Sequence, residues 1–272
     1  MKTKALCAAM ALLLGTGAGV AQDCTPAHQF PTITPGTLTV GTYELLPFIS
    51  TKDGGLSGTD AEIVKEIAKM ECLEITTVAL DPAALVQAVV SGQIDMTIGN
   101  WYRTAKRAEV VNLTAPLYLD QMGIISKDGI TKVSEAEGRT VGNIQGYLWT
   151  DDVQAVFGDS AKVYPNTVAM AQDLTAGRID VGFESYTVVK EAQKAGAYEG
   201  LQVKVVEADE RVAASREPGQ STFPHTKGND AMTKALDEDI AALRKSGRLA
   251  EILVAAGLDA SAAEPGEPRL IK

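Results

Sequence analysis

Four residues close to position 100 could bind a small charged molecule. Asn100, Trp101 and Tyr102 directly follow an alternating apolar run at 94–98, and Arg107 ends the same stretch. A guanidinium group binds a carboxylate through two parallel hydrogen bonds, and aromatic ring faces cover a small cation or an apolar group. The sequence therefore predicts a pocket here for a small molecule that carries a carboxylate.

Other aromatic residues occur at the same kind of position. Aromatic residues make up only 5% of the chain, yet both tryptophans and several other rings follow predicted strands. Large rings at strand ends suggest a pocket lined from more than one loop. The alternative is that each ring packs on the nearest hydrophobic core. The rings at predicted strand ends are Tyr43, Phe48, Trp101, Tyr102, Tyr147, Trp149, Phe183 and Tyr186.

The stretch around position 100 belongs to an alternation of strand and helix patterns. Apolar runs of period two are followed by helical patterns that begin at Asp60 and Pro82, which is typical of a parallel sheet covered by helices. Small ligands bind beyond the carboxyl ends of the strands in such sheets, where Asn100 to Arg107 would lie. The predicted strands are 37–42, 75–80 and 94–98, and the predicted helices are 60–70 and 82–90.

The second half of the chain repeats this design. Ser91-Gly92-Gln93-Ile94-Asp95 and Ala176-Gly177-Arg178-Ile179-Asp180 share one pattern, in which glycine suits the left-handed end of a helix before a strand. We therefore predict an α/β fold of two lobes with mainly parallel sheets, facing each other across a cleft. The predicted limits are 22–120 and 211–272 for lobe 1 and 121–210 for lobe 2. The proline-containing tail from Leu258 is expected to be mobile.

Residues 1–21 are typical of a secretory signal peptide. Lys2 and Lys4 precede an apolar run from Ala5 to Leu14, and small residues lead up to Ala21, so we expect cleavage after Ala21. A membrane anchor is the alternative, but the apolar run is shorter than the ~20 residues that a membrane span needs. We expect a soluble, exported protein.

Removal of this segment changes both the charge and the cysteine content. It leaves 23 basic and 35 acidic residues and changes the formal net charge from −10 to −12, which disfavours nucleic acid as a partner. Cys7 is lost with the segment, and Cys24 and Cys72 remain. In an oxidising compartment these two residues predict one disulfide. Two separate buried thiols are the alternative.

The chain lacks the usual sequence signals of an enzyme site. Its only histidines are His28 and His225, and no Cys/His spacing suits zinc. Neither a Gly-x-Ser-x-Gly sequence nor a phosphate-binding glycine loop is present. We therefore expect no metal and no cofactor.

The motifs of the chain, taken in order, resemble those of a known protein family. Residues 37 to about 257 are similar to the extracellular solute-binding proteins of amino-acid ABC transporters, bacterial solute-binding family 3. This resemblance implies the type II periplasmic-binding fold, in which a two-strand hinge joins the lobes. The matching segments are Gly36-x-Leu38-x-Val40-Gly41, Pro47-Phe48, Leu56-Ser57-Gly58-Thr59-Asp60, Ser91-Gly92-x-Ile94-Asp95, Thr104-Ala105-Lys106-Arg107, Val141-Gly142-x-x-x-Gly146, Gly177-Arg178-Ile179-Asp180 and Lys245-Ser246-Gly247.

The resemblance also implies roles for single residues. Arg107 would bind the α-carboxylate of the ligand, helped by Asn100 and Tyr102. Three positions depart from the family pattern. Its second-lobe Gly-Thr is Gly146-Tyr147 here, its amine-binding acid falls on Ser185 directly after Glu184, and Tyr43 would replace an aromatic residue that usually precedes Pro-Phe.

The resemblance implies a periplasmic binding protein of an ABC importer. Such a protein captures a small carboxylate-bearing amino acid or related zwitterion between its lobes and docks on a membrane permease, and we expect a monomer. The alternative is a periplasmic enzyme on the same fold, similar to cyclohexadienyl dehydratase, with Glu184 as its acid or base.

Overall fold

A computed structural model describes residues 24–258 and 260–271. The predicted signal peptide, residues 1–21, lies outside the described residues. Within those residues, no helix is long and apolar enough to cross a membrane.

The described residues form three sheets. A five-stranded sheet has the order β2-β1-β3-β13-β5, a second five-stranded sheet has the order β11-β7-β10-β8-β9, and a three-stranded sheet has the order β4-β12-β6. The strands are β1 Thr37–Thr42, β2 Glu74–Ala79, β3 Met96–Thr97, β4 Trp101–Tyr102, β5 Asn112–Leu113, β6 Leu119–Asp120, β7 Met122–Ser126, β8 Val141–Ile144, β9 Ala161–Tyr164, β10 Val181–Ser185, β11 Gln202–Val205, β12 Gly219–Thr222 and β13 Pro224–His225.

The helices cover the two larger sheets. In α1, Ile63, Val64 and Ile67 are fully buried, whereas Glu62 and Lys65 on the other face are partly exposed, as expected for an amphipathic helix. The helices are α1 Thr59–Met70, α2 Pro82–Val90, α3 Ala105–Ala108, α4 Thr150–Phe157, α5 Thr167–Thr175, α6 Tyr186–Lys194, α7 Ala213–Arg216, α8 Asp230–Lys245 and α9 Arg248–Ala255.

The first two sheets are the centres of two lobes, and both are mixed. In the first lobe β1 pairs in parallel with β2 and β3, and β13 is antiparallel to β3 and β5. In the second lobe β8 pairs in parallel with β9 and β10, and β7 is antiparallel to β10 and β11. The parallel strands send their carboxyl ends toward the same edge of each sheet, which is where ligands bind in such folds.

The third sheet contains the segments that cross between the lobes. Strand β12 pairs antiparallel with β6, and Gly219 lies opposite Asp120. A Cβ atom at Gly219 would lie 2.7 Å from the Tyr102 ring, so only glycine lets this ring pack against the hinge. The predicted α/β fold with two lobes on a two-strand hinge is confirmed. The predicted lobe limits at 120/121 and 210/211 stay predictions.

The N-terminal arm is tied to α1 by a covalent bond. Cys24 and Cys72 form a disulfide with their Cα atoms 5.8 Å apart, and the Ala27 N–H donates to the Met70 carbonyl at 3.1 Å. The predicted pairing of these two cysteines is confirmed.

The prediction of a mobile tail is wrong. The Ile271 carbonyl accepts a hydrogen bond from the Ala105 N–H at 2.8 Å, and the Ile271 N–H donates to the Arg103 carbonyl at 3.0 Å. Ile271 is buried, and the Gln220 side chain bonds to the carbonyls of Pro265 and Glu267 at 2.9 and 2.8 Å. The tail is therefore fixed to the hinge and to the segment that carries Arg107.

Candidate functional site

Arg107 is a partly buried cation with few partners. It lies in the short helix α3, whose first turn is capped by Thr104, because the Thr104 hydroxyl accepts from the Arg107 N–H at 3.2 Å. Its guanidinium group donates to the Tyr102 carbonyl at 2.8 Å and lies 5.0 Å from the centre of the Trp101 ring. Burial lowers the pKa of Arg107 below its ordinary value. Among the described residues, none of the salt bridges involves Arg107, so it has donors available for an anion.

Asp60 stabilises the loop at Gly99 and Asn100, which precedes Arg107 in the sequence. One oxygen of this fully buried carboxylate accepts from the backbone N–H groups of Gly99 and Asn100 at 2.8 and 2.7 Å. The other accepts from the Tyr118 hydroxyl at 2.6 Å. Burial raises the pKa of Asp60 to about 6. These bonds stabilise the left-handed conformation of Asn100, which has φ of 53°. Sequence analysis identified Asp60 as the start of a helix and as part of a matching family segment, but gave it no role at the site.

The aromatic residues of the first lobe occupy different places. The Tyr43 hydroxyl donates to the Gly99 carbonyl at 2.6 Å, and its ring meets the edge of Trp101 with centroids 5.9 Å apart. Trp101 is 6% exposed, packs with apolar residues of the first lobe that include Leu85, and donates from its indole N–H to Ile98. Its ring thus supports Arg107 from the core side. A ligand contact by Trp101 stays a prediction.

The Gly146-Tyr147 pair belongs to a loop of the second lobe. Gly146 is exposed and has φ of 77°. Tyr147 is half-buried and packs edge-on against Trp149 with centroids 5.3 Å apart. Burial and the neighbouring charge of Glu184 raise the pKa of Tyr147, and Tyr43 of the other lobe contributes in the same direction.

Glu184 is a fully buried acid at the end of β10. Its carboxylate accepts from the Thr167 hydroxyl at 2.8 Å and from the Ser185 N–H at 2.9 Å, and Tyr147 is a further hydrogen-bond partner. Burial raises the pKa of Glu184 to about 7. Its partners are neutral, so a cation in this place would gain a full charge interaction.

Asp120 is a second buried acid, which sequence analysis missed. It is 2% exposed and lies in hinge strand β6. From the first lobe it accepts from the Tyr102 hydroxyl at 2.6 Å and the Asn100 amide at 2.7 Å. The only sequence signal is an acid that interrupts the apolar residues of the crossing.

Asp120 also accepts from the second lobe. The Ser185 hydroxyl donates to both of its oxygens at 3.0 and 2.8 Å, and the Thr187 hydroxyl donates at 3.0 Å. Burial raises the pKa of Asp120, and no arginine or lysine of the described residues forms a salt bridge with it. Ser185, which is predicted to stand at the position of the family's amine-binding acid, is therefore hydrogen-bonded to an acid from the hinge.

Most of the residues predicted to bind a ligand lie around this junction of the lobes. The side chains of Asn100, Tyr102 and Ser185 donate hydrogen bonds to Asp120. Tyr147 is a hydrogen-bond partner of Glu184. Their roles toward a ligand stay predictions. The complete predicted set is Tyr43, Asn100, Trp101, Tyr102, Arg107, Gly146, Tyr147, Glu184 and Ser185.

Comparison with known proteins identifies the family. Residues 38–255 match the sequence profile of the bacterial extracellular solute-binding proteins, family 3. The chain belongs to this family. The predicted family resemblance is confirmed, and the match covers most of the chain.

Individual members of this family are similar over different lengths. A probable histidine-binding protein of Campylobacter jejuni is 31% identical over 124 residues, covering 44% of this chain and 48% of that protein, so the match spans about half of that relative. The lysine/arginine/ornithine-binding periplasmic protein of Escherichia coli is 26% identical over 228 residues, covering 78% of this chain and 84% of that protein. A solved structure of an ancestral arginine-binding protein bound to arginine superposes with a TM-score of 0.68 and 24% identity, covering 82% of this chain and 98% of its own. That structural likeness shows the fold.

Proposed function

We propose that this family member is the ligand-capturing component of an ABC importer and that it binds a cationic amino acid, or a closely related zwitterion, between its lobes. The observation that carries the proposal is the charge of the junction. Arg107 has no carboxylate partner among the described residues, while Asp120 and Glu184 are buried acids held by neutral donors. A ligand with one carboxylate and two cationic groups would match this arrangement.

Each part of such a ligand has a partner in the proposal. The α-carboxylate would accept from the guanidinium of Arg107. The α-ammonium would lie near Ser185 and Asp120, because the acid normally expected at Ser185 is supplied from the hinge instead. The cationic side chain would extend toward Glu184 with the rings of Tyr43 and Tyr147 on either side. Relatives named for binding histidine or lysine, arginine and ornithine support this ligand class.

The proposed cycle uses the hinge. Domains of this kind close around a ligand through large dihedral changes at a few residues of the connecting segments, and Asp120 contacts both lobes at that point. Closure would then present the permease with a surface that the open form lacks. In this proposal the protein is exported by its first 21 residues, acts as a monomer in the periplasm and meets its permease at the inner membrane.

Thermal unfolding with a panel of amino acids tests the proposed function. A ligand at 100 times its dissociation constant should stabilise the protein by about 2.7 kcal/mol, and we expect arginine, lysine, ornithine or histidine to give the largest shift. Arg107→Ala should weaken binding of the best ligand by at least about 30-fold, since truncating one partner of a buried charge pair costs about 2 kcal/mol or more. Arg178→Ala is the matched control, because Arg178 is exposed and pairs with Asp173. Equal affinity in Arg107→Ala and wild type would refute the assignment.

A periplasmic enzyme is the second candidate function. The observation that favours it is Glu184, a buried acid with a pKa of about 7, because a general acid works best with a pKa near the operating pH. Incubation of the purified protein with prephenate or arogenate, followed by product analysis, tests it. Turnover that disappears in Glu184→Gln would establish the enzyme, and its absence alongside tight amino-acid binding would leave the binding protein.

A further inference from the structure

A second cluster of ionisable groups lies in the first lobe, away from the junction with the second. His28 from the N-terminal arm meets Glu71 at the end of α1 and Asp239 in α8. One possible ligand atom from each of these residues lies within 4.8 Å of the others. The three residues are 43 to 211 positions apart in the sequence, so no local motif indicates that they lie together.

The imidazole of His28 has a carboxylate on each side. Its Nδ1 atom lies 2.6 Å from Glu71 Oε1 and 3.6 Å from Asp239 Oδ1. Its Nε2 atom lies 2.7 Å from Oε2 of Glu238, which is half exposed. Metal-binding histidines commonly donate their second ring N–H to a carboxylate that orients the ring. Glu238 has the position of such a carboxylate, while Glu71 and Asp239 share the other side of the ring.

The two buried carboxylates of the cluster, Glu71 and Asp239, lack a lysine or arginine partner among the described residues. Glu71 and Asp239 are 3% and 2% exposed. Neither forms a salt bridge with a lysine or arginine of the described residues, and Lys234 lies beside the outer acid, 3.8 Å from Glu238. The Asp239 Oδ2 atom is buried without a hydrogen-bond partner. An unpartnered buried carboxylate oxygen is costly, so a cation here would be stabilised.

We propose that His28 Nδ1, Glu71 and Asp239 bind one divalent transition-metal ion of the Zn²⁺ class. One nitrogen and two carboxylate ligands suit zinc, whereas Ca²⁺ and Mg²⁺ prefer oxygen ligands alone. Metal ligands must be deprotonated, so binding should release protons and weaken as the pH falls.

The site would connect three parts of the first lobe. The arm, α1 and α8 each contribute one ligand, and the Cys24–Cys72 disulfide lies beside Glu71. The metal would therefore hold the arm against two helices that cover the sheet. This role does not depend on the ligand proposed for the junction of the lobes.

Calorimetric titration with Zn²⁺ alone tests the proposal. The chain should be oxidised, free of any histidine tag and treated with a chelator that is then removed. We expect one Zn²⁺ per chain, with heats that differ between buffers of different ionisation enthalpy because protons are released. His28→Ala and Asp239→Asn should each weaken binding by about 100-fold. Loss of a residue that only orients a metal ligand already weakens binding by about 10- to 100-fold. Glu199→Gln, which changes an exposed acid elsewhere, should bind like wild type.

Three results would contradict the proposed metal site. Absence of binding by wild type, unchanged affinity in both cluster variants, or Ca²⁺ binding as tight as Zn²⁺ would overturn the proposal. Circular dichroism and thermal unfolding without metal check that each variant folds. If Asp239→Asn does not fold, His28→Ala decides, because His28 lies in the arm and is partly exposed.

Discussion

Two buried acids, Asp120 and Glu184, give the candidate site its character at the scale of single residues. Both face neutral donors, and burial raises the pKa of each. Arg107 supplies the opposite charge, with a pKa lowered by burial. A ligand that brings a carboxylate and cationic groups would place an opposite charge beside each of these three side chains and would favour the ionised form of the two acids. The charge pattern therefore supports the proposed ligand class more directly than the aromatic rings do.

The pKa of Glu184 gives a pH dependence with a definite sign. Its carboxyl is neutral below about 7 and charged above it, and only the charged form attracts a cation. The affinity for arginine, whose side chain stays charged throughout, should rise as the pH increases through about 7. Below that value the loss should reach up to about tenfold per pH unit.

Titration calorimetry at several pH values measures this dependence. Glu184→Gln cannot ionise and should bind arginine more weakly, with a flatter profile. Asp173→Asn is a suitable control, because Asp173 is a surface partner of Arg178. An affinity that falls as the pH rises, or a profile unchanged in Glu184→Gln, would show that Glu184 does not bind the cation.

The C-terminal tail is the element whose role was least expected. It pairs with Arg103 and Ala105 on one side and with Gln220 of hinge strand β12 on the other. The Arg269 N–H also donates to the Gln220 side chain at 2.9 Å. The tail thus joins the hinge to the short helix that presents Arg107.

Removal of residues 264–272 should therefore affect both folding and binding. We expect a lower melting temperature and a ligand affinity reduced by several-fold, because the backbone bonds of Ile271 and the side-chain bonds of Gln220 are lost and each is worth roughly 1 kcal/mol. Leu270→Ala, at an exposed position, serves as the control for loss of a surface apolar group. Scanning calorimetry and ligand titration are the measurements. A truncated chain with wild-type values for both would show that the tail has no supporting role.

At the scale of the whole molecule, local patterns predicted the architecture. The alternation of period-two and helical patterns placed strands at 37–42, 75–80 and 94–98, and the structure has strands at Thr37–Thr42, Glu74–Ala79 and Met96–Thr97. The disulfide was predicted from the number of cysteines that lie outside the predicted signal peptide. These features depend on residues close in sequence or on a count, so one chain was enough to predict them.

Contacts between distant residues could not be predicted in this way. Asp60 contacts Asn100 and Tyr118, and Asp120 contacts Ser185. Neither acid belongs to a spacing that indicates its partners, because only the fold brings them together. For the same reason, the cluster around His28 could not be predicted. Its residues are far apart in the sequence and form no zinc motif.

The affinities of three matched compounds test the proposed pairing of charges between the ligand and the site. Arginine carries the carboxylate for Arg107 and the cation for Glu184, agmatine lacks the carboxylate, and citrulline lacks the side-chain charge. In titration calorimetry of residues 22–272, we expect arginine to bind tightly. We expect losses of at least about 30-fold for agmatine and for citrulline, because each leaves one buried charge unpaired. Agmatine or citrulline binding as tightly as arginine would contradict the proposed pairing of charges in the site.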